Sequence, residues 1–113
     1  MSDIALRVPG TRARLRVRTA ATWRGAVGLL GNRDLRDPHG LWVRSCRRIH
    51  TYGMSKAVDV VFLRADGVVA KVVESMKPWR SSSCAEASTV LELRAGLVQR
   101  LNIAPGLALD LLA

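Results

Sequence analysis

Residues that could do chemistry are concentrated between positions 46 and 54 of this 113-residue chain. Cys46 and His50 are residue types that form nucleophilic pairs or zinc ligands when a third group completes the arrangement. On an extended strand, residues four apart lie about 13 Å from each other, which is too far for direct contact. Cys46 and Cys84 also lack the CxxC spacing of a metal site. We therefore predict neither a bound metal nor a cofactor.

A second possible catalytic pair depends on a predicted hairpin. Asp66-Gly67 is a strong hairpin signal, and a two-residue turn there places Asp59 opposite Glu74, with Cβ atoms about 4.5 to 5.5 Å apart. Two carboxylates at that distance raise the pKa of one of them and can act as acid and base. The same register pairs Val61 with Val72 and Leu63 with Ala70.

The structural interpretation of this pair is the simpler one, because the strands can diverge or a nearby cation can neutralise the carboxylates. We therefore predict no catalytic residue. A hydrolase-type enzyme built on His50, Asp59 and Glu74 is kept as an alternative function.

Basic and aromatic residues around the hairpin favour binding over catalysis. Trp42 and Trp79 lie beside Arg44 and Arg80, a combination that can stack on planar groups and attract anions. The predicted binding residues are Arg47, Arg48, His50, Met54, Asp59, Trp79 and Arg80.

The formal net charge is +9, and all of it lies in the first half of the chain. Arg12, Arg14, Arg16 and Arg18 alternate with apolar residues, which is the period of a half-buried strand. Their guanidinium groups would line one face about 7 Å apart, a spacing that could follow phosphates. Like charges on an exposed strand also discourage aggregation, and this is the explanation we favour. A nucleic-acid-associated basic protein that uses this face is the first alternative function, ahead of the hydrolase, and nucleic acid is a possible partner but not the favoured one.

The elements that must position these residues are mainly strands. Two apolar runs, 58–64 and 68–74, flank the turn at Asp66-Gly67, and residues 60–63 are apolar on both faces, which is typical of a central strand. A short strand is expected at 41–43 and another at 87–93. A last strand is predicted over 107–111.

Helical periodicity is limited to two short segments. Residues 20–30 predict one helix, with Trp23 on its buried side, and residues 94–102 predict a second. The fold class is therefore mainly β, a small antiparallel β-sandwich or partly closed barrel with one or two short helices. We expect a flexible N-terminal arm over 1–11 and a single β-rich domain over 12–113.

The chain begins without a basic segment followed by an apolar one, and no run of about 18 apolar residues occurs. The sequence thus predicts no membrane span and a cytoplasmic protein.

Several motifs together resemble the bacterial and archaeal family called domain of unknown function 192, or UPF0127. They are Gly40-Leu41-Trp42-Val43, the run from His50 to Leu63, Asp66-Gly67-Val68-Val69, Val90 to Gly96, and Leu101 to Gly106. The positions that match the family pattern are His50, Gly53, Met54, Asp59, Asp66, Gly67, Glu92 and Gly96. This chain departs from it in having Gly53-Met54 where many members have Trp-Met, and Leu107-Ala108 where an Asp is common.

The resemblance implies a small β-rich domain without an established enzymatic activity, in a family with some members encoded near pilus or secretion machinery. The leading hypothesis is therefore a non-enzymatic binding or accessory protein. Its partner would be a protein or a small ligand, and an accessory role in pilus or secretion machinery follows from the resemblance.

Overall fold

The structure is a computed structural model that describes residues 3–20, 40–52, 54 and 56–112. The described residues form nine strands and one short helix. The strands are β1 (Asp3–Arg7), β2 (Arg14–Ala20), β3 (Gly40–Arg44), β4 (Arg48–His50), β5 (Val58–Leu63), β6 (Val69–Met76), β7 (Ser81–Ser83), β8 (Thr89–Arg94) and β9 (Asp110–Leu112), and the helix is α1 (Leu97–Arg100).

Seven strands form one curled sheet in the order β6-β5-β8-β3-β2-β1-β9, and β4 and β7 form a second, two-stranded sheet. All neighbours in the large sheet are antiparallel except β2 and β3. The segment before β9 returns to the opposite edge, where Val69 N donates to Leu107 O at 2.8 Å and Leu109 N donates to Gly67 O at 3.1 Å. The sheet therefore closes in part, which confirms the predicted mainly β fold and partly closed barrel.

β5 lies in the middle of the packing, because all six of its residues are buried. Its alternate side chains belong to two apolar clusters, one on each face of the sheet. The inner cluster comprises Leu6, Val8, Leu15, Val17, Val61, Leu63, Val69, Leu91, Leu93, Leu97, Val98, Ile103 and Leu109. The outer cluster comprises Leu41, Val43, Ile49, Met54, Val58, Val60, Phe62, Met76, Cys84, Ala87 and Val90. The prediction of a central strand covered on both sides is confirmed.

The small sheet contributes to the cover of the outer cluster. Ile49 at the centre of β4 is fully buried and belongs to that cluster. Lys71 of β6 donates through Nζ to the carbonyl oxygen of Ser83 at 3.0 Å, which joins the small sheet to the large one. With Ile49 directed inward, strand alternation leaves Arg48 and His50 on the outer side of β4.

The hairpin between β5 and β6 differs from the predicted one in its turn. Arg64 N donates to Val68 O at 2.9 Å, so three residues form the loop, and the last of them, Gly67, has φ 86°. This is the three-residue hairpin in which a glycine adopts the left-handed conformation. Leu63 consequently pairs with Val69, and the predicted pairing with Ala70 is wrong.

A register shift between Phe62 and Leu63 restores the predicted alignment further from the turn, and Val61 pairs with Val72 as expected. The longer turn and this irregularity compensate for each other. The hairpin signal therefore located the strands correctly but not the residues at the turn.

The N-terminal segment takes part in the sheet. The sequence predicted a flexible arm over 1–11, whereas β1 lies between β2 and β9 and pairs with both. Leu6 and Val8 have 0% exposure, so this segment fills the inner cluster. The predicted helix over 20–30, with Trp23, lies outside the described residues except for Ala20, which ends β2. Gly53 also lies outside them.

Gly40, at the start of β3, tolerates no side chain. A Cβ there would overlap the carbonyl oxygen of Glu92 on β8 and would lie 2.8 Å from Cδ2 of Leu93. We expect Gly40→Ala to lower the free energy of unfolding by about 2 kcal/mol or more, because backbone atoms must move apart.

The matched control is Gly10→Ala, where a Cβ meets nothing within 4 Å and the left-handed backbone, at φ 83°, is the one source of strain. It should cost about 1 kcal/mol. Urea unfolding followed by circular dichroism gives both values, and equal losses in the two variants would contradict the close approach of β3 and β8.

Candidate functional site

A single buried threonine connects the loop before β7 to the end of β4. Thr51 has 0% exposure. Its hydroxyl accepts from Arg80 N at 2.9 Å and donates to Lys77 O at 2.7 Å. Its backbone N–H donates to Arg80 O at 2.8 Å, and its carbonyl oxygen accepts from Trp79 N at 3.1 Å. These bonds hold loop 77–80 beside residues 50–52.

Three aromatic rings are stacked in a row on the outside of this junction. The centroids of His50 and Tyr52 are 4.7 Å apart with an angle of 28° between the rings, and those of Tyr52 and Trp79 are 5.8 Å apart with 22°. Tyr52 is 47% exposed and Trp79 is 63% exposed. Stacking turns the two faces of Tyr52 toward its neighbours, so Trp79, at the end of the row, is the ring that keeps a face for solvent. We call the three rings the ring stack (His50, Tyr52 and Trp79).

Trp79 occupies a backbone conformation that a tryptophan rarely adopts. Its φ is 64°, in the left-handed region. This conformation costs a non-glycine residue about 1 to 2 kcal/mol. The bond from Trp79 N to Thr51 holds the residue there, and its ring then lies against Tyr52.

Two exposed arginines lie next to residues of the ring stack along the chain. Arg80 follows Trp79 directly, and Arg48 shares the outer side of β4 with His50. Neither has a carboxylate partner among the residues that the structure describes. The site thus combines aromatic faces with uncompensated positive charge.

Asp59 lies in the core and not in this site. It is 1% exposed, and its carboxylate accepts three backbone N–H bonds, from Ser75 to Oδ1 at 2.8 Å and from Gly96 and Val98 to Oδ2 at 2.9 Å each. The carboxylate thereby caps the start of α1 and ties β6 to it.

The register explains why Asp59 and Glu74 do not form the predicted opposed pair. Val58 pairs with Met76 and Val60 with Val73, so two residues of β6 face Asp59 alone. Ser75 in this bulge has φ 48° and turns its N–H toward the carboxylate. Glu74 is exposed. The bulge therefore replaces the predicted pairing of Asp59 with Glu74 by a backbone contact.

Each cysteine thiol donates a hydrogen bond to a nearby acceptor. Cys46 Sγ donates to Arg48 O at 3.0 Å, and Cys84 Sγ donates to Glu86 Oε2 at 3.3 Å. Partial burial raises the pKa of the Cys46 thiol. A thiol with a raised pKa is a weak nucleophile at neutral pH, so this environment does not activate Cys46.

A family model described as DUF192, uncharacterized ACR, matches residues 4–111, nearly the whole chain. The chain belongs to the DUF192 family. No curated protein matches it significantly.

Two solved structures resemble this DUF192 chain. One is a protein of unknown function from Novosphingobium aromaticivorans, with a TM-score of 0.79, 24% identity, and coverage of 96% of this chain and 84% of that one. The other, from Sinorhizobium meliloti, is described as a candidate transcription regulator. Its TM-score is 0.81, with 24% identity and coverage of 96% of this chain and 92% of that one. These likenesses show a shared fold.

Among the positions that match the family pattern, Glu92 has the most unusual environment. It has 0% exposure and pairs along the sheet with Leu41 and Val60, both in the outer cluster. Neither carboxylate oxygen has a hydrogen-bond partner among the described residues. Burial raises the pKa of Glu92 well above its ordinary value, which favours the protonated form of the side chain in the fold.

Four of the predicted binding residues belong to the ring stack or lie next to it, and the others lie elsewhere. His50, Trp79, Arg80 and Arg48 lie at this surface, whereas Met54 is buried in the outer cluster. Arg47 is exposed, and its carbonyl oxygen accepts from Cys84 N at 2.8 Å. Trp42 packs against the inner cluster, so it does not share a platform with Trp79.

Sequence reasoning missed Tyr52 and Thr51. Tyr52 is two residues beyond His50, and residues two apart on an extended strand lie on the same face. An aromatic residue at that spacing was the one signal that could have identified it.

The predicted arginine row lies on β2. Arg14, Arg16 and Arg18 alternate with buried Leu15 and Val17 as expected. Arg12 precedes the strand. Binding of phosphates by this row stays a prediction.

Within residues 3–20, 40–52, 54 and 56–112, no group of three or more metal-ligating side chains occurs. No helix in the same ranges is long and apolar enough to cross a membrane.

The contacts of Asp59 predict a structural role for it. Asp59→Ala leaves three backbone donors without their acceptor, and we expect a loss of about 3 kcal/mol or more in the free energy of unfolding. Glu74→Gln, on the exposed side of the bulge, should change it by less than about 0.5 kcal/mol. Urea denaturation compares the two variants, and a small effect of Asp59→Ala would contradict the capping role.

Glu92 predicts a pH-dependent stability. In the unfolded chain it ionises above its ordinary pKa of 4.5, whereas in the folded chain its pKa is raised, so stability is greatest below that pH and falls as pH rises toward the pKa of the folded state. Glu92→Gln removes this pH dependence of stability. We expect its stability relative to the natural chain to grow by up to about 1.4 kcal/mol per pH unit above that value. Parallel pH profiles of the two proteins would exclude a protonated Glu92.

Proposed function

We propose that this DUF192 protein is a non-enzymatic binding domain, that its contact surface is the ring stack with Arg48 and Arg80, and that its ligand is single-stranded nucleic acid. The observation that carries the proposal is the exposure of Tyr52 and Trp79 in one continuous row, near two arginines that have no carboxylate partner among the described residues. Exposed aromatic faces stack on unpaired bases, and flanking arginines neutralise phosphates.

The other candidate chemistries have less support at this surface. Asp59 is committed to three backbone donors, and Cys46 has a raised pKa. A hydrolase would need an activated nucleophile or a base beside it, and the contacts of these two residues supply neither. Duplex DNA hides its base faces within the stack, so a row of rings favours single strands over duplexes.

The strain at Trp79 also supports a binding role. Residues held in costly backbone conformations cluster at functional sites, where the surrounding structure fixes them. Here Thr51 fixes the residue, and the result is a ring that is 63% exposed. An accessory role in pilus or secretion machinery, which the family resemblance implied, stays a prediction with no contact of this structure behind it.

The test is fluorescence anisotropy of a labelled oligothymidylate of about a dozen nucleotides, a length within the site sizes of single-strand binders. We expect binding at low salt that weakens steeply between about 50 and 200 mM salt. Trp79→Gly and Tyr52→Ala should each weaken binding about fivefold to a hundredfold, because Trp79 supplies the stacking face and Tyr52 supports its ring.

The variants are chosen so that folding and binding separate. Trp79→Gly relieves the left-handed backbone while losing one ring contact, so its free energy of unfolding should stay within about 1 kcal/mol of the natural chain. Arg80→Gln should weaken binding, whereas Arg100→Gln, an exposed arginine on α1, serves as the matched charge control.

Three results would contradict the proposal: no binding at low salt, equal losses in the Arg80 and Arg100 variants, or binding that Tyr52→Ala and Trp79→Gly leave unchanged. Losses confined to Arg14→Gln and Arg16→Gln would transfer the nucleic-acid function to β2. Saturable binding of an acidic peptide that depends on Tyr52 and Trp79, without oligonucleotide binding, would assign the ring stack to a protein partner.

A further inference from the structure

An open cavity of about 610 Å³ lies at one end of the partly closed barrel, and we call it the end cavity. It is bounded by β1, the beginning of β2, Trp42 of β3, the turn after β5 and the segment entering β9. Cavities of this size hold small organic ligands, and the mouths of β-barrels are a common place for them.

The wall of the end cavity is apolar over much of its surface. Leu6 and Leu109 belong to the inner cluster, and Trp42 packs against it half-buried. Leu111 also lines the cavity and is 60% exposed. Leu6 and Leu109 are already buried, so an apolar ligand body placed here would cover the exposed parts of Leu111 and Trp42.

The rim of the cavity carries three arginines and two aspartates. Arg7 Nη2 lies 2.7 Å from Asp110 Oδ2, and Arg64 Nη2 lies 2.6 Å from Asp66 Oδ2. Arg14 is left without a carboxylate partner among the described residues. One positive charge at the rim is therefore uncompensated.

The register makes this excess charge unfavourable in the absence of an anion. Arg14 pairs directly with Arg7 across β1 and β2, so two guanidinium groups share one face at adjacent positions. Like charges placed opposite each other destabilise a sheet. Asp110 already offsets part of this repulsion at Arg7, and an anionic group on Arg14 would offset the remainder.

We propose that the end cavity binds a small amphipathic carboxylate, with its apolar body against Trp42 and the lining leucines and its carboxylate on Arg14. Arginine presents paired N–H donors that match a carboxylate, so the head group is fixed in orientation as well as in charge. This site is separate from the ring stack and does not depend on the function proposed for it.

The test uses decanoate as the probe and decanol, which has the same chain without the charge, as its comparison. Titration of the isotope-labelled natural protein, followed by amide chemical shifts, should move signals of Leu6, Trp42 and Leu109 with decanoate. Decanol should bind at least about tenfold more weakly, because it lacks the charge that Arg14 recognises.

Two variants assign the binding to particular residues. Arg14→Gln should weaken decanoate binding about tenfold and leave decanol unchanged, whereas Arg12→Gln, an exposed arginine that does not line the cavity, should have no effect. Leu111→Asp, at an exposed position, should weaken decanoate binding further by placing a negative charge at the mouth. Unchanged amide spectra outside the substituted strand show that each variant is folded.

The proposal is overturned if decanoate fails to bind, if it moves signals away from the cavity, if decanol binds equally well, or if Arg14→Gln and Arg12→Gln have the same effect. Each of these results leaves oligonucleotide binding at the ring stack unaffected, so the two proposals fail independently.

Discussion

β5 is buried on both faces along its whole length, so the fold must supply two layers of cover for one strand. The curled sheet supplies the inner layer by closing on itself through the segment before β9. On the outer face, cover comes in part from the two-stranded sheet, through Ile49. Because β4 must direct Ile49 inward, its neighbours Arg48 and His50 face outward. The surface that we assign to binding is thus a consequence of how the core is closed.

Two carboxyl groups interrupt these apolar layers, and they have opposite environments. Asp59 is buried but receives three backbone donors, which makes it a connection between the bulge of β6 and the start of α1. Glu92 is equally buried and has no hydrogen-bond partner within the part of the chain that the structure describes, and burial raises its pKa. A carboxyl group kept neutral in a core costs less than a buried charge but still loses its hydrogen bonds to water. Asp59 therefore contributes to stability, whereas Glu92 reduces it as pH rises.

Much of the fold could be predicted from the sequence, because alternation and turn residues act locally. The strands on both sides of Asp66-Gly67 and the doubly buried β5 follow from such local patterns. The position of β1 does not, since a short segment with Pro9-Gly10 behind it gains its order from pairing with β2 and β9. The role of Asp59 depends on the bulge in β6. The role of Tyr52 depends on loop 77–80, which is more than twenty residues away in the chain. A sequence pattern shows neither, and so it suggested a carboxylate pair where the structure has a cap.

Thr51 holds loop 77–80 against β4 and thereby aligns the rings of His50, Tyr52 and Trp79 in the surface that we propose for unpaired bases. The most direct measurement is a map of amide chemical-shift changes on addition of oligothymidylate at low salt. We expect changes concentrated at residues 48–52 and 79–81, together with the indole N–H of Trp79, while the signals of β2 stay in place. Changes concentrated on Arg14, Arg16 and Arg18, with the Trp79 indole unmoved, would contradict this proposal.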